Sequence, residues 1–171
     1  MIWKVEGGDL LHFFTADEHY GHTKILEYED RPFSSVEEMD EELIRRHNSV
    51  VRSRDTVIHA GDFAFCKTRE LAQEKYISRL NGKHVFLYGS HDNWLGPRRA
   101  PDIHTVQVNK QLVVICHYAM RVWPRSHYGS WHVYGHTHGK LESFGLSLDV
   151  GVDCHDFYPV SFQRLQELFR D

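Results

Sequence analysis

The ten residues from Trp131 to Lys140, WHVYGHTHGK, contain the pattern from which the rest of the chain can be interpreted. The apolar residues before Gly135 predict the end of a short strand, and the glycine lets the backbone turn out of it. Side chains two apart on an extended segment point the same way, so His136 and His138 would present two imidazoles to one small volume. Neutral imidazole is the commonest protein ligand for transition metals. The stretch alone predicts either half of a metal site or a pair of surface histidines in a turn.

Length and composition predict one globular domain, residues 1–171. The chain has 171 residues with 41% hydrophobic and 13% aromatic content, enough for a single sizeable core. The net charge of −4 does not support a nucleic-acid partner, because no overall positive field is present. A local basic patch could still form, and its candidates are Arg98, Arg99, Arg121 and Arg125. The unusual feature is the histidine content, with 14 histidines scattered along the chain.

The cysteines and the apolar runs predict the compartment. Cys66, Cys116 and Cys154 are an odd number without CxxC spacing, which argues against a disulfide framework and against a cysteine-type zinc site. The N-terminus lacks the pattern of a signal peptide, and no apolar run approaches the roughly 18 residues of a membrane span. We therefore expect a soluble cytoplasmic protein without a membrane partner.

Strands and helices alternate along the chain, which by periodicity alone supports only an α/β or α+β class. The predicted strands are Ile2–Val5, Leu10–Thr15, Thr56–Ala60, Val85–Tyr88, Ile103–Val108, Leu112–Cys116 and Leu146–Val152. Asn109-Lys110 predicts the turn of a hairpin between the fifth and sixth of these.

Capping signals predict the helices. Ser35 with Glu38 three residues later forms a capping box at the start of a long helix, on whose apolar stripe His47 is expected as a core or boundary residue. Thr68 is expected to cap a helix with Leu71, Tyr76, Ile77 and Leu80 inward, and Thr23 a brief helix with Ile25 and Leu26. A final helix follows Pro159-Val160-Ser161.

Five predicted strand ends finish in polar clusters, and ligand sites of α/β folds gather at strand ends. The clusters are Asp17/His19, Gly61-Asp62, Gly89-Ser90-His91-Asp92, His117 and His136/His138. Mixed nitrogen and oxygen donors without thiolate suit manganese, iron, nickel or zinc. The donors exceed the needs of one ion, whereas two ions roughly 3.5–4 Å apart that share a carboxylate would use them. Asp62, alone on its loop, is the natural shared ligand.

The order Asp-x-His, Gly-Asp, Gly-Asn-His-Asp, His, Gly-His-x-His resembles that of calcineurin-like metallophosphoesterases. In detail the chain is similar to the small single-domain bacterial and phage branch that begins Asp-x-His-Phe-Gly-His, here Asp17 to His22. Arg31-Pro32-Phe33 and Gly151-Val152-Asp153 with Pro159-Val160-Ser161 strengthen that placement. The resemblance implies a four-layer αββα sandwich, in which two mixed β-sheets lie face to face with helices outside.

The resemblance also implies the site residues. Around the first metal it implies Asp17, His19, Asp62 and His138, and around the second Asp62, the residue at position 90, His117 and His136. It places His91 as a proton donor to the leaving oxygen or a stabiliser of transition-state charge, Asp92 as the residue that orients that loop, and His22 near the phosphate. The implied cofactors are two divalent transition-metal ions, manganese first, with iron, nickel or zinc as alternatives.

Ser90 departs from the family pattern, which has asparagine at this position. A serine hydroxyl is a shorter and weaker oxygen ligand than an asparagine carbonyl, so we expect looser binding at the second site and reduced turnover.

The expected reaction is hydrolysis of a phosphate mono- or diester by a water that two metal ions activate. The substrate would be a phosphate-ester small molecule or a nucleotide. One alternative is a cyclic-nucleotide phosphodiesterase or a nuclease acting on nucleic-acid ends, in which Trp94, Trp123 and Tyr128 could stack on a base or could equally be packing residues. Another alternative is a catalytically weakened scaffold of the same fold, which the presence of Ser90 favours.

Overall fold

The computed structural model describes residues 10–97 and 102–170, and the elements named below belong to these ranges. The strands are β1 (His12–Thr15), β2 (Thr56–His59), β3 (Lys83–Phe86), β4 (Ile103–Val108), β5 (Gln111–Cys116), β6 (Trp131–Tyr134), β7 (Ser147–Asp149) and β8 (Val160–Ser161). The α-helices are α1 (Ile25–Tyr28), α2 (Val36–Val50), α3 (Arg69–Lys75) and α4 (Phe162–Leu168). The predicted strand Ile2–Val5 and the pair Arg98 and Arg99 lie outside the described residues.

The strands form two four-stranded mixed sheets. The first has the order β3-β2-β1-β8, in which β8 alone runs antiparallel to its neighbour. The second has the order β4-β5-β6-β7, in which β4 and β5 form the predicted antiparallel hairpin and the other pairs are parallel. Parallel neighbours end at the same edge of a sheet, so the loops that follow β1, β2 and β3 lie together, as do those that follow β5, β6 and β7.

Apolar side chains on the facing sides of the two sheets form the main core. Phe14 and Ile58 of the first sheet belong to one buried cluster with Val113, Ile115 and Val133 of the second. Helix α4 contributes two further buried residues to this cluster, and one of them, Phe162, stacks on Trp131 with the ring centroids 5.4 Å apart. The predicted class, α/β with two mixed sheets flanked by helices, is confirmed.

Helix α2 packs a second core against the outer side of the first sheet. Its Met39 and Leu43 are buried with residues from α3 and from the loops that follow β2 and β3. The Ser35 cap is confirmed, since its side chain accepts a hydrogen bond from the backbone N–H of Glu38 at 3.1 Å. His47 is buried on the same helix, as expected.

Two helix details differ from the sequence prediction. The Thr68 cap is present, but α3 ends at Lys75 and a 3-10 turn over Ile77–Arg79 follows. Leu71, which was predicted to face inward, is 38% exposed, whereas the neighbouring Ala72 is buried. Thr23 is not a cap, because Lys24 occupies that position and makes no capping hydrogen bond through its side chain.

Contacts between the sheets bring the two groups of strand ends together. Ala16, just beyond β1, forms an isolated parallel bridge with Gly151, just beyond β7. Within each sheet a further bond joins neighbouring strand ends: the backbone N–H of Asp17 donates to the carbonyl of Gly61 after β2, and that of Gly135 donates to the carbonyl of His117 after β5, both at 3.0 Å. The loops that carry the predicted ligands therefore meet at one edge of the sandwich.

Candidate metal centre

Five of the predicted ligands have left-handed backbone conformations. Their φ angles are 59° for Asp17, 54° for His19, 57° for Asp62, 70° for His136 and 48° for His138. Non-glycine residues rarely adopt this region, and such strain clusters at functional sites. The prediction that residues two apart share a direction on an extended segment was wrong here, since each strand ends before its ligands begin. The loops, rather than strand alternation, aim these side chains.

The side chains converge in two groups of three. Asp17, His19 and His138 form the first group, and Asp62, His117 and His136 form the second. Within each group the potential ligand atoms lie within 4.8 Å of one another. His136 and His138, two residues apart, therefore belong to different groups rather than to one.

Asp62 connects the groups. Its Oδ2 atom lies 3.7 Å from Nε2 of His19 and 3.4 Å from Nε2 of His117. One carboxylate oxygen therefore faces an imidazole nitrogen from each group, which is the position expected of a shared ligand.

The buried atoms that face this space fit a cation. Oδ1 of Asp17, Nε2 of His19 and Nε2 of His117 are buried and have no hydrogen-bond partner within the described part of the chain. Buried polar atoms are ordinarily hydrogen-bonded. Because the lone pairs of these three atoms converge on one space without a donor, a cation bound there would satisfy them. The donor set of imidazole and carboxylate matches Mn, Fe, Ni or Zn.

Protonation states agree with this assignment. Burial lowers the pKa of His19 to about 2, which keeps its imidazole neutral and able to coordinate. Burial, together with the nearby carboxylates of Asp62 and Asp149, raises the pKa of Asp17 well above its usual value. Burial also acts to raise the pKa of Asp62, but the nearby imidazoles of His117 and His19 and the backbone N–H of His91 together outweigh this and hold the pKa below the usual range. A bound cation would relieve the repulsion between these carboxylates.

Outer hydrogen bonds fix which nitrogen each ligand presents. Nδ1 of His117 lies 2.9 Å from the carbonyl oxygen of Ala60, and Nδ1 of His138 lies 2.7 Å from Oδ2 of Asp153. In both rings Nδ1 therefore carries the proton, and Nε2 is left to coordinate. Oδ2 of Asp17 accepts from the backbone N–H of His136 at 2.8 Å, which leaves Oδ1 for a metal.

Arg31 supports the first group from behind, a role that the sequence did not reveal. Its buried guanidinium pairs with both carboxylate oxygens of Asp153 at 2.8 Å. It also donates to the backbone carbonyls of Asp17 at 2.6 Å and Glu18 at 2.9 Å. The arginine thus ties the loop that carries Asp17 to the carboxylate that orients His138. Arg31 and Asp153 lie in segments that strengthened the family placement, which was the only signal in the sequence.

Asp92 braces the loop of Asp62. Its Oδ2 atom accepts from the backbone N–H groups of Asp62 at 2.6 Å and of Gly89 at 2.8 Å. Its Oδ1 atom accepts from the N–H of Phe63 at 3.0 Å and from Nε1 of Trp94 at 2.8 Å. Gly89 permits this close packing, because a Cβ there would lie 2.1 Å from Oδ1 of Asp62.

Ser90 and His91 lie on the accessible side of Asp62. Ser90 Oγ donates to Oδ2 of Asp62 at 2.9 Å, and the backbone N–H of His91 donates to Oδ1 at 2.8 Å. The imidazole of His91 is 5.4 Å from that of His19 and 5.5 Å from that of His22, measured between ring centroids. His22 contacts His19 directly, with their Nδ1 atoms 3.4 Å apart. The structure thus brings every predicted site residue to one place.

Behind the site, two buried side chains and the half-buried His84 form a chain of polar contacts. Glu18 Oε1 is 2.6 Å from Nδ1 of His59, whose Nε2 is 3.0 Å from Nδ1 of His84. Burial raises the pKa of Glu18 to about 8 and lowers those of His59 to about 3 and His84 to about 4. Nothing in the sequence distinguished His59 and His84 from ordinary core histidines, or indicated that Glu18 contacts them.

The predicted base-stacking residues are in other environments. Trp94 and Trp123 are buried and donate their indole N–H groups to Asp92 and to the carbonyl of Ser130 respectively, so both pack rather than bind. Tyr128 is exposed and lies beneath the guanidinium of Arg125. Two other exposed rings lie nearer the site: Tyr118 contacts His117 and His136 of the second group, and Phe65 contacts His22.

The chain has relatives without an assigned function. No family model matches it. It is similar to the uncharacterized protein MJ1445 of Methanocaldococcus jannaschii, with 29% identity over 163 residues that cover 91% of this chain and 89% of the relative.

Among solved structures, the protein of unknown function AQ665 from Aquifex aeolicus superposes with a TM-score of 0.69 at 15% identity, covering 94% of this chain and 100% of that one. This likeness concerns the fold alone. A conserved uncharacterized protein of Streptococcus pneumoniae, described as a predicted phosphoesterase, superposes with a TM-score of 0.43 at 15% identity, over 83% of this chain and 71% of that one. A match at that level carries no argument about this chain.

Across the described ranges, no helix is long and apolar enough to cross a membrane.

Proposed function

We propose that this chain is a metal-dependent phosphoesterase that hydrolyses a phosphate mono- or diester. The observation that carries the proposal is the position of Asp62, whose Oδ2 lies within 3.7 Å of Nε2 atoms from His19 and His117. Neither nitrogen has a hydrogen-bond partner among the residues that the structure describes. This arrangement supports a shared ligand between two cations. The ordered motifs that contain these residues, and that resemble those of calcineurin-like metallophosphoesterases, support the same function.

Each of the two groups of side chains would bind one ion. Asp17, His19 and His138 would hold the first and His117 and His136 the second, with Asp62 common to both. Manganese is the first choice, with iron, nickel or zinc as alternatives. When bound, such a pair of cations neutralises phosphoryl charge and lowers the pKa of water towards neutrality.

We assign the proton transfer to His91. Its backbone N–H is fixed on Asp62, while its imidazole belongs to neither ligand group and is partly exposed. A histidine in this position can protonate the oxygen of the departing alcohol as the ester bond breaks. The imidazole of His22 lies 5.4 Å from that of His19 and 5.5 Å from that of His91, measured between ring centroids, from where it can contact the phosphate.

A catalytically weakened scaffold is the second candidate, and Ser90 favours it. Its hydroxyl is a donor to Oδ2 of Asp62, the oxygen that faces both groups, and so competes with a cation for that atom. An asparagine carbonyl at position 90 would instead add a neutral oxygen ligand.

Hydrolysis of a chromogenic phosphomonoester and a phosphodiester, with and without manganese, tests the proposal. We expect manganese-stimulated release from at least one ester, lost in Asp62→Asn. Asp156→Asn is the matched control, since Asp156 is exposed and has a similar left-handed φ of 49°. Hydrolysis that Asp62→Asn leaves unchanged would contradict the proposal. Activity on neither ester in a protein without bound ions would favour the scaffold.

A further inference from the structure

Phe65 is an apolar ring that a hydrogen-bonded stretch of backbone holds in an exposed position. The side chain is 56% exposed, although it lies only three residues beyond Asp62. Its backbone N–H donates to the carbonyl of Tyr20 at 2.8 Å, and the N–H of Tyr20 donates to the carbonyl of Phe63 at 2.9 Å. Tyr20 also forms an isolated bridge with Ala64. Burial in the core does not explain a phenyl ring that a fixed backbone presents to solvent.

The ring forms a continuous aromatic surface with two neighbours. Phe65 stacks on His22 with centroids 4.7 Å apart and an interplanar angle of 15°. Tyr28 of α1, itself 60% exposed, stands edge-on to the same imidazole at 6.3 Å. We call Tyr28, His22 and Phe65 the aromatic rim. It borders the first metal group, because His22 contacts His19.

The rim also borders the proton donor. The ring centroid of Phe65 lies 6.1 Å from that of His91. If His91 protonates the leaving oxygen, the group attached to that oxygen lies on the His91 side of the phosphorus, over the rim. A flat ring placed there would stack on Phe65, whereas a small aliphatic alcohol would leave Phe65 in water.

We propose that the leaving group of the substrate carries an aromatic ring, an aryl group or a nucleobase, that stacks on Phe65. The inference deepens the proposed phosphoesterase function and rests on it. The competing explanation is that Phe65 only holds His22 in place. In that case removing the ring would affect all ligands equally.

The test compares binding of two non-hydrolysable ligands to the manganese-loaded protein by calorimetry. Phenylphosphonate and methylphosphonate share the anionic head and differ in the ring. We expect phenylphosphonate to bind about tenfold more tightly or better, since stacking on an aromatic side chain is worth roughly 1–3 kcal/mol per ring, or about 5- to 150-fold. A nucleoside 5′-phosphonate as a third ligand distinguishes a nucleobase from a simple aryl group.

Three variants make the test specific. Phe65→Ala should abolish the preference for the ring, Phe65→Tyr should keep it, and Tyr128→Ala should leave it unchanged, because Tyr128 is exposed beside His127 and Arg125. Equal affinity for the two phosphonates in the unaltered protein, or a preference that survives Phe65→Ala, would overturn the proposal. Binding needs no turnover. A protein that prefers the ring but hydrolyses no ester would therefore refute the proposed catalysis while retaining the subsite.

Discussion

Asp153 Oδ2 accepts a hydrogen bond from Nδ1 of His138 at 2.7 Å, and the same carboxylate is paired with the buried guanidinium of Arg31. The fork of Arg31 compensates the charge of Asp153 and also binds two carbonyls of the loop that carries Asp17. The geometry of the first metal group therefore depends on an ion pair that touches none of the ligand atoms.

Arg31→Met leaves the carboxylate of Asp153 without its cation. We expect the free energy of unfolding to fall by about 3–5 kcal/mol, as is typical when one partner of a buried pair is removed. The control is Arg79→Met, because Arg79 forms a bidentate pair with Glu41 that is exposed on both sides. That change should lower stability by less than about 1 kcal/mol. Denaturant unfolding of both variants measures the two losses of stability. Equal losses in Arg31→Met and Arg79→Met would show that the buried pair of Arg31 contributes no more to stability than an exposed pair.

Ser90→Asn exchanges a donor on Asp62 for a neutral carbonyl ligand. We expect the manganese content to rise towards two ions per chain and hydrolysis to rise with it. Ser90→Ala removes the hydroxyl without adding an oxygen and should not raise the manganese content to that level. Native metal analysis with a rate measurement on each protein tests this. The same metal content and rate in Ser90→Asn as in the unaltered chain would refute it.

His91→Ala removes an imidazole but keeps the backbone N–H that donates to Asp62. Metal content should therefore be unchanged, while turnover slows roughly 10²–10⁴-fold if proton donation is its whole role. His127→Ala, at an exposed histidine of the 3-10 turn Ser126–Tyr128, is the control and should change neither quantity. Loss of the metals from His91→Ala would show that His91 is a ligand.

His47 predicts acid sensitivity of the fold. Burial lowers its pKa from 6.5 to about 4, so the unfolded chain binds the extra proton first and stability falls as the pH drops from 6.5 towards 4. Glu18 has the opposite effect on stability, because its pKa is raised to about 8 and its protonation therefore favours the folded state as the pH falls. The contribution of His47 is therefore measured by changing that residue alone.

His47→Gln can keep the hydrogen bond that Nε2 makes to the carbonyl of Asn81 without a titrating group. The stability deficit of this variant at pH 7 should shrink by roughly 2–3 kcal/mol at pH 4.5. Chemical denaturation at the two pH values measures the change. His127→Gln is the control, and a deficit in His47→Gln that does not depend on pH would contradict the assignment.

Local signals were sufficient for most of the secondary structure. The Ser35 cap, the hairpin turn at Asn109-Lys110 and the strand before Gly135 all follow from short-range chemistry, and the structure has each of them. The exposure of Leu71 could not be predicted in this way, because hydrophobic periodicity does not show that α3 buries the neighbouring Ala72 instead.

The composition of the site could be predicted, but the way it is held could not. Asp62 and the histidines were recognisable by residue type and by their place after strands. Their left-handed backbones, and the support of Arg31 and Asp153 across more than a hundred residues, depend on tertiary contacts that leave no periodic trace. Phe65 was missed for a related reason, since a phenylalanine after a strand predicts core packing unless its exposure is known.

Anomalous diffraction from crystals of the manganese-loaded protein tests the central claim most directly. The account predicts two manganese peaks, one among Asp17, His19 and His138 and the other among His117 and His136, with Asp62 between them. Peaks only at other places, or none above noise in this cluster, would contradict it.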